Sequence, residues 1–389
     1  MRDCDVAVIG AGVAGMAAAL GLAQQGLQVA LIGPRPREVR PTAAAPFDVR
    51  IYAAAPGTVD LLERLSVWKR VDAGRTAVVE RMRVFGDRGD ALTFDAYEAA
   101  VERLATIVEE SELARVLDAA CDFQPAIARV AAAFESLQDG DAGVAIGLAD
   151  GAALHARLVV GADGAQSAVR AACGIGARIT DYRQTAIVAN FRCAQPHLGT
   201  AWQWFTDEGI VALLPLPDSH VSLVWSAPAA LAAELAALEP AELAQRVTAR
   251  VQATLGELAP AGPSAGFPLR LVVVDRLIGP RVALVGDAAH VVHPLAGQGL
   301  NLGLQDVGAL LEVMRVREAF RDIGDAVLLR RYERSRAEPI ALMRAATDGL
   351  ARLFGIDDPF ARLLRNTGMA VADRLSPLKS LLIRQALGG

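Results

Sequence analysis

One stretch near the N-terminus, DVAVIGAGVAGMAAALGLAQQGLQVALIG (residues 5–33), limits the possible folds more than any other. It reads as a strand over Asp5–Ile9, a glycine-rich turn, a helix over about Gly12–Gln25 stopped by Gly26, and a second strand over Gln28–Ile32. Inside such a βαβ unit the G-x-G-x-x-G spacing has a physical meaning. Gly10 permits a tight turn, Gly12 lets the backbone approach a pyrophosphate on the helix N-terminus, and Gly15 lets helix and strand pack closely. Ala11, Val13 and Ala14 complete that loop. The uncharged run from Val6 to Pro34 is long enough for a membrane span or a secretion signal. The acids of MRDCD and the interrupting glycines favour a buried strand, turn and helix instead, and a soluble, cytoplasmic protein is expected.

The fingerprint calls for an acid about 20 residues on, to bind ribose hydroxyls. Gly33 stands there, followed by PRPR. Arg35 or Arg37 could hold the 2′-phosphate of NADP, or lie in a solvated loop. Alternatively the nucleotide is FAD, its ribose held by backbone or water. Residues 1–40 leave this open.

Two further segments bear on the choice. LVVGADGAQSAVR (158–170) and RVALVGDAAHVVHPLAGQGLNLGLQDV (281–307) are each an apolar strand ending in an acid, Asp163 or Asp287, before a glycine-containing helix start. A plain NADP dehydrogenase has no use for both. FAD does, because the molecule is long and its ribitol and isoalloxazine need polar partners away from the pyrophosphate. A metal reading would recruit Asp287, His290 and His293. His290 and His293 are three apart, but a zinc site needs a third and usually a fourth ligand, and His155, His197 and His220 lie in no ligand-like spacing. No metal is expected, and the two histidines are read as structural.

The chain has 389 residues, 53% hydrophobic, which is too long for one average domain. A net charge of −5 gives no overall attraction to nucleic acid or to an anionic membrane. Cys4, Cys121, Cys173 and Cys193 form no CxxC pair, which suits a reducing compartment.

GAGVAG (10–15), ADGAQSAVR (162–170), YRQTAIVAN (182–190), LLPL (213–216), the 281–307 segment and RYERSR (331–336) together resemble the flavoprotein aromatic hydroxylases of the para-hydroxybenzoate hydroxylase class. Within that class the chain is most similar to the ubiquinone-biosynthesis hydroxylases. The resemblance covers nearly the whole chain. It implies an α/β fold with a Rossmann-like FAD-binding domain (GR2-type), an inserted, mostly antiparallel β-sheet substrate domain and a C-terminal helical tail. It also implies roles. Gly10, Gly12 and Gly15 would hold the FAD pyrophosphate. Arg50, in FDVR, and Arg115, in ELARVL, would contact the phosphates. Asp163 and Gly164 would lie between the FAD and pyridine-nucleotide sites, and Asp287 would bind the ribitol. Pro294, Gly297, Gln298, Gly299, Leu300 and Asn301 would line the isoalloxazine. The two glycines of that run offer bare backbone to a flat ring, and a helix opening near Leu300 would turn its positive end to the flavin's pyrimidine edge, an effect of about 0.3–2 kcal/mol.

The implied reaction is hydroxylation of a hydrophobic phenol, expected to be polyprenylated, in ubiquinone biosynthesis. FAD would carry the chemistry through a C4a-hydroperoxide, with O2 as co-substrate, and NAD(P)H or a reductase protein as electron donor. No catalytic side chain is expected. Alternatives are a flavoprotein oxidoreductase acting on an isoprenoid without oxygen insertion, or a low-turnover flavin-binding component of a quinone-synthesis complex.

The FAD domain is expected over residues 1–75, 95–175 and 275–320, and the substrate domain over 76–94 and 176–274. Strands are read at TAIVANFRC, TAWQWF, GIVALLPL and HVSLVWS, with two alanine-rich helices (227–251) outside the sheet. Trp204 stands where relatives carry a cation; it, Leu214 and Trp225 are candidate substrate contacts, with core packing the alternative for the tryptophans. The tail, 321–389, is expected to form amphipathic helices, packed on the domain or docking a membrane or a quinone-biosynthesis complex.

Overall fold

The computed structural model describes residues 2–36, 46–86, 91–140, 143–292 and 298–355. The charge-free N-terminal run folds as strand Arg2–Ile9, helix Val13–Gln24 and strand Val29–Ile32. Its apolar continuity follows from position. The two strands pair in parallel, Val6 with Val29 through Ile9 with Ile32, and Val6, Ala7, Val8 and Met16 have no exposed surface. They belong to an eight-stranded sheet whose main path runs Ile278–Gly279, Val282–Leu284, Ala153–Gly161, Arg2–Ile9, Val29–Ile32 and Ile127–Val130. The four pairings after the first are parallel, and the hairpin Phe134–Gly140/Gly143–Leu148 adds to it antiparallel. Helix Val13–Gln24 packs against helices Glu110–Phe123 and Gln298–Arg315.

A second sheet of nine strands lies beyond the first. It is antiparallel except where Thr200–Thr206 runs parallel to Arg81–Phe85. The side-chain period of two gives it distinct faces. Trp204, Val211, Leu213, Leu223 and Trp225 form one core cluster with the helices Ala229–Ala237 and Pro240–Arg250, the alanine-rich pair expected outside the sheet. The intervening residues, Gln203, Ala212, Leu214, Val224 and Ser226, face the opposite way, over the first sheet's strand ends.

Of the segment 76–94, Arg81–Phe85 and Ala91–Asp95 join this sheet. Thr76–Val79 does not. It pairs with Ala105–Glu109, which also pairs with Ile51–Ala54, in a separate three-stranded sheet. Helix Ala326–Gly355 anchors the C-terminal part: Tyr332 is wholly buried and donates its hydroxyl to the Leu284 carbonyl at 2.7 Å. The second tail helix read from the sequence, from 359 on, lies outside the described residues. Among those residues no helix is long and apolar enough to cross a membrane.

Candidate functional site: a cofactor groove opening onto an apolar sheet

Parallel pairing brings three distant bends to one edge. The Gly10 amide donates to the Ile32 carbonyl at 2.8 Å, Ala162 to Ile9 at 2.7 Å, and Val285 to Gly161 at 2.9 Å. The segments 10–15, 162–167 and 285–289 thus lie side by side beyond the carboxyl ends of the strands, where α/β sheets place their ligands.

The glycines of these bends serve two different purposes. Gly10 has a φ of +111°, and a Cβ on it would stand 2.2 Å from the Ala162 carbonyl oxygen. A Cβ on Gly15 would lie 1.9 Å from the carbonyl oxygen of Gly10. Both are demanded by the protein's own packing. Gly12, Gly164 and Gly299 border the cavity and would meet nothing within 4 Å. Side chains there would enter open space, as expected of a cradle for a bound group. Helix Val13–Gln24 starts at Gly12 with no side-chain cap and no acid in its first turn, so its leading N–H groups face the cradle without a competing carboxylate.

The cavity has a volume of about 790 Å³ and runs from Gly12–Ala14 past Asp287 and Gly299–Asn301 to the apolar face of the nine-stranded sheet. That is within the usual range for an enclosed ligand site. Asp287 is exposed into it; the protein around it still raises its pKa, and His290 and Arg50 partly offset this. Arg50 lies over the Phe267 ring at 4.7 Å and pairs with Glu110 at 2.8 Å. Burial works against its charge, but the Glu110 carboxylate prevails and holds its pKa up. Tyr52 is pushed well above the ordinary phenol value, first by burial and then by Glu110 beside it.

Several other residues keep the groove in shape. Asn301 lines the cavity but spends its polar atoms on the chain: Oδ1 accepts from the Ala55 amide at 2.9 Å and the Thr58 hydroxyl at 2.8 Å, while Nδ2 donates to Ala53 at 2.8 Å. Asp163 does not line the cavity; it accepts from the Ser167 hydroxyl at 2.5 Å and the Val169 amide at 3.0 Å, at the start of helix Ala168–Ala172. Arg170 in that helix is buried and donates to the carbonyls of Ala288 and Ala165, tying the second bend to the third. Asp306 is fully buried and receives the Gly286 amide at 3.0 Å, His290 Nε2 at 2.6 Å and Arg336 Nε at 2.7 Å.

Of the residues singled out from sequence, Gly12, Val13, Ala14, Arg50, Gly164, Asp287, Gly299, Leu300, Asn301 and Leu214 line the cavity. Gly10, Ala11 and Gly15 support its floor. Gln298 opens the helix Gln298–Arg315, whose N-terminus meets the cavity. His293, Pro294 and Gly297 lie outside the described residues, as does Arg37. Arg115 is placed away from the cavity, its guanidinium on Glu112 at 2.6 and 2.7 Å. Arg35 is likewise occupied, by Asp122 at 2.8 Å. Trp204 and Trp225 are on the sheet's far face: Trp204 stacks on Phe85 at 5.4 Å, and Trp225 donates its indole N–H to the Glu208 carbonyl at 3.1 Å. Alternation explains it, because Gln203 and Ser226 occupy the neighbouring positions that face inward. Sequence reading passed over those two, together with Tyr52, Glu110, Arg170 and Asp306. Arg170 and Asp306 stood inside motifs already quoted, and strict period-two counting along TAWQWF would have separated Gln203 from its tryptophans.

The profile of the FAD binding domain family matches residues 3–346. The 3-demethoxyubiquinol 3-hydroxylase of Escherichia coli (strain K12) is 35% identical, over 100% of this chain and 99% of its own. The ubiquinone hydroxylase UbiL of Rhodospirillum rubrum is 36% identical, over 100% of this chain and 90% of its own. Among solved structures, Pseudomonas aeruginosa PqsL in complex with 2-aminobenzoylacetate superposes with a TM-score of 0.76 at 25% identity, covering 92% of this chain and 99% of that one. With the groove just described, these matches make the chain an FAD-dependent monooxygenase, a member of the family that contains the ubiquinone-biosynthesis hydroxylases.

Proposed function

We propose that the protein hydroxylates the ring of a hydrophobic, polyprenylated phenol in ubiquinone biosynthesis. The observation that carries this reading is the continuity of one cavity from the uncapped helix start at Gly12, past Asp287, to an apolar sheet face. In this reading the first sheet and its helices form the cofactor domain and the nine-stranded sheet forms the substrate domain. The FAD pyrophosphate sits on Gly12–Ala14, Asp287 accepts from the ribitol hydroxyls, and Gly299–Asn301 face the isoalloxazine. Arg50 is near enough to Asp287 to lower its pKa, and contributes positive charge along the cofactor. Arg115 and Asp163 act at one remove, through the helices they brace.

FAD, when bound, supplies the activation of O2; the chain supplies position, a dry surface and charge. Overall, an aryl C–H, O2, NAD(P)H and a proton become an aryl C–OH, water and NAD(P)+, with one oxygen atom entering each product. A reductase protein can replace NAD(P)H as the source of the electron pair. Delivery of a lipid-soluble substrate from a membrane or a partner enzyme, by way of the C-terminal helices, belongs to the same proposal. Its support is that helix Ala326–Gly355 leaves Val327 and Leu342 exposed among arginines.

The test is turnover under ¹⁸O2 of the purified, FAD-loaded protein with a prenylated phenol, with the product read by mass spectrometry. One labelled oxygen per ring is expected. A desaturated or reduced isoprenoid without label would install the oxidoreductase alternative. FAD that no donor reduces would point to a binding component of little turnover.

A further inference from the structure

The cavity is electrically uneven. Among the described residues, the charged side chains that line it are Arg50, Glu110 and Asp287, all at the cofactor end, and Arg50 and Glu110 are paired. The sheet face opposite carries no charge. Its polar side chains are Gln203 on strand Thr200–Thr206 and Ser226 on strand His220–Pro228, set among Ala186, Ala212, Leu214 and Val224. Gln203 is 5% exposed and Ser226 4%, and neither side chain has a hydrogen-bond partner in the protein. Both residues border the open cavity, where a ligand or water can complete the amide and the hydroxyl. Trp202 beside them also borders the cavity, and its indole N–H has no partner either, but it can only donate.

We propose that Gln203, with Ser226, is the recognition point for the substrate ring, and that it selects a neutral ring bearing hydroxyl or alkoxyl oxygens and no carboxylate. This rests on the hydroxylase reading above and names its substrate class. An amide and a hydroxyl each both donate and accept, which matches a phenol or an aryl ether. A carboxylate on the same wall would be desolvated with no cation to receive it. The flanking apolar surface, including Met82, Phe94 and Leu104, accepts a hydrocarbon substituent.

The experiment uses the full chain loaded with FAD and follows ligand binding by perturbation of the flavin absorbance. The ligands are 2-farnesylphenol and its carboxylated counterpart, 3-farnesyl-4-hydroxybenzoate. At about pH 7 the neutral phenol should bind roughly tenfold more tightly or better. Q203L should weaken the phenol about tenfold without changing FAD content or melting temperature, and Q203R should shift preference toward the carboxylate. W204F, altered on the opposite face, should leave both affinities as they are. Equal or tighter binding of the carboxylate by the unaltered protein overturns the inference, and so does a Q203L protein that binds the phenol normally. A chain that takes up no FAD defeats the hydroxylase reading itself, and is recognised before any ligand is added.

Discussion

At the scale of single residues, Asp287 sets function against stability. Its raised pKa means that the ionised carboxylate opposes folding, though only weakly because it is exposed to the open groove. The opposition is absent below the ordinary carboxyl value of about 3.9, grows as pH rises toward the elevated folded value, and is complete above it. Asp287→Asn removes it. Without cofactor, the variant should melt above the parent at about pH 7, with the difference fading as the medium is acidified. FAD affinity should move the other way, falling on the order of tenfold as a charged acceptor is lost. Melting curves and flavin titrations of the same samples test both signs. A variant that binds FAD as tightly as the parent would remove Asp287 from the cofactor site.

At the scale of elements, helix Gln298–Arg315 is held to the third bend by Asp306. That carboxylate faces the Gly286 amide, His290 and Arg336, the last supplied by helix Ala326–Gly355. Close approach reinforces the join, since a Cβ on Gly303 would sit 3.0 Å from the Gly286 Cα. Asp306→Ala leaves Arg336 buried and uncompensated, which should cost about 3–5 kcal/mol in denaturant unfolding, and pairing it with Arg336→Met should recover part of the loss. A loss below about 1 kcal/mol would show that the network is not what joins the two helices to the bend.

The same elements show what a sequence can and cannot disclose. The βαβ unit was legible because local glycine chemistry and apolar continuity agree on one structure. The meeting of Gly12 and Asp287 was legible as well, because apolar strands running into glycine-containing bends recur three times, twice with a strand-end acid. Thr76–Val79 was misplaced because a short apolar run carries no information about its pairing partner. The resemblance puts Arg115 at the phosphates, and in the structure its guanidinium pairs with Glu112, one helical turn before it. Trp204 drew attention by its size, and the period-two rule places it on the outer face regardless.

At the scale of the whole molecule, the nine-stranded sheet separates two tasks. Its outer face packs tryptophans and leucines under the alanine-rich helices, and its inner face sets Ala186, Ala212 and Ser226 among larger residues over the groove. Trp225 has no exposed surface, so Trp225→Ala should lower stability by about 3–5 kcal/mol. Where the variant remains folded, its relative affinity for different phenols should be unchanged. Calorimetry and a short ligand panel check the two halves separately, and a change in ligand preference with little loss of stability would show that the faces are not independent.

That separation bears on how such a protein diversifies. Exchanges at Ala186, Ala212, Val224 and Ser226 reshape a hollow and leave the packed layer behind it intact, so lineages can drift toward new ring substitution patterns without first acquiring spare stability. A combinatorial library confined to those four positions should therefore yield mostly folded, yellow variants with altered selectivity.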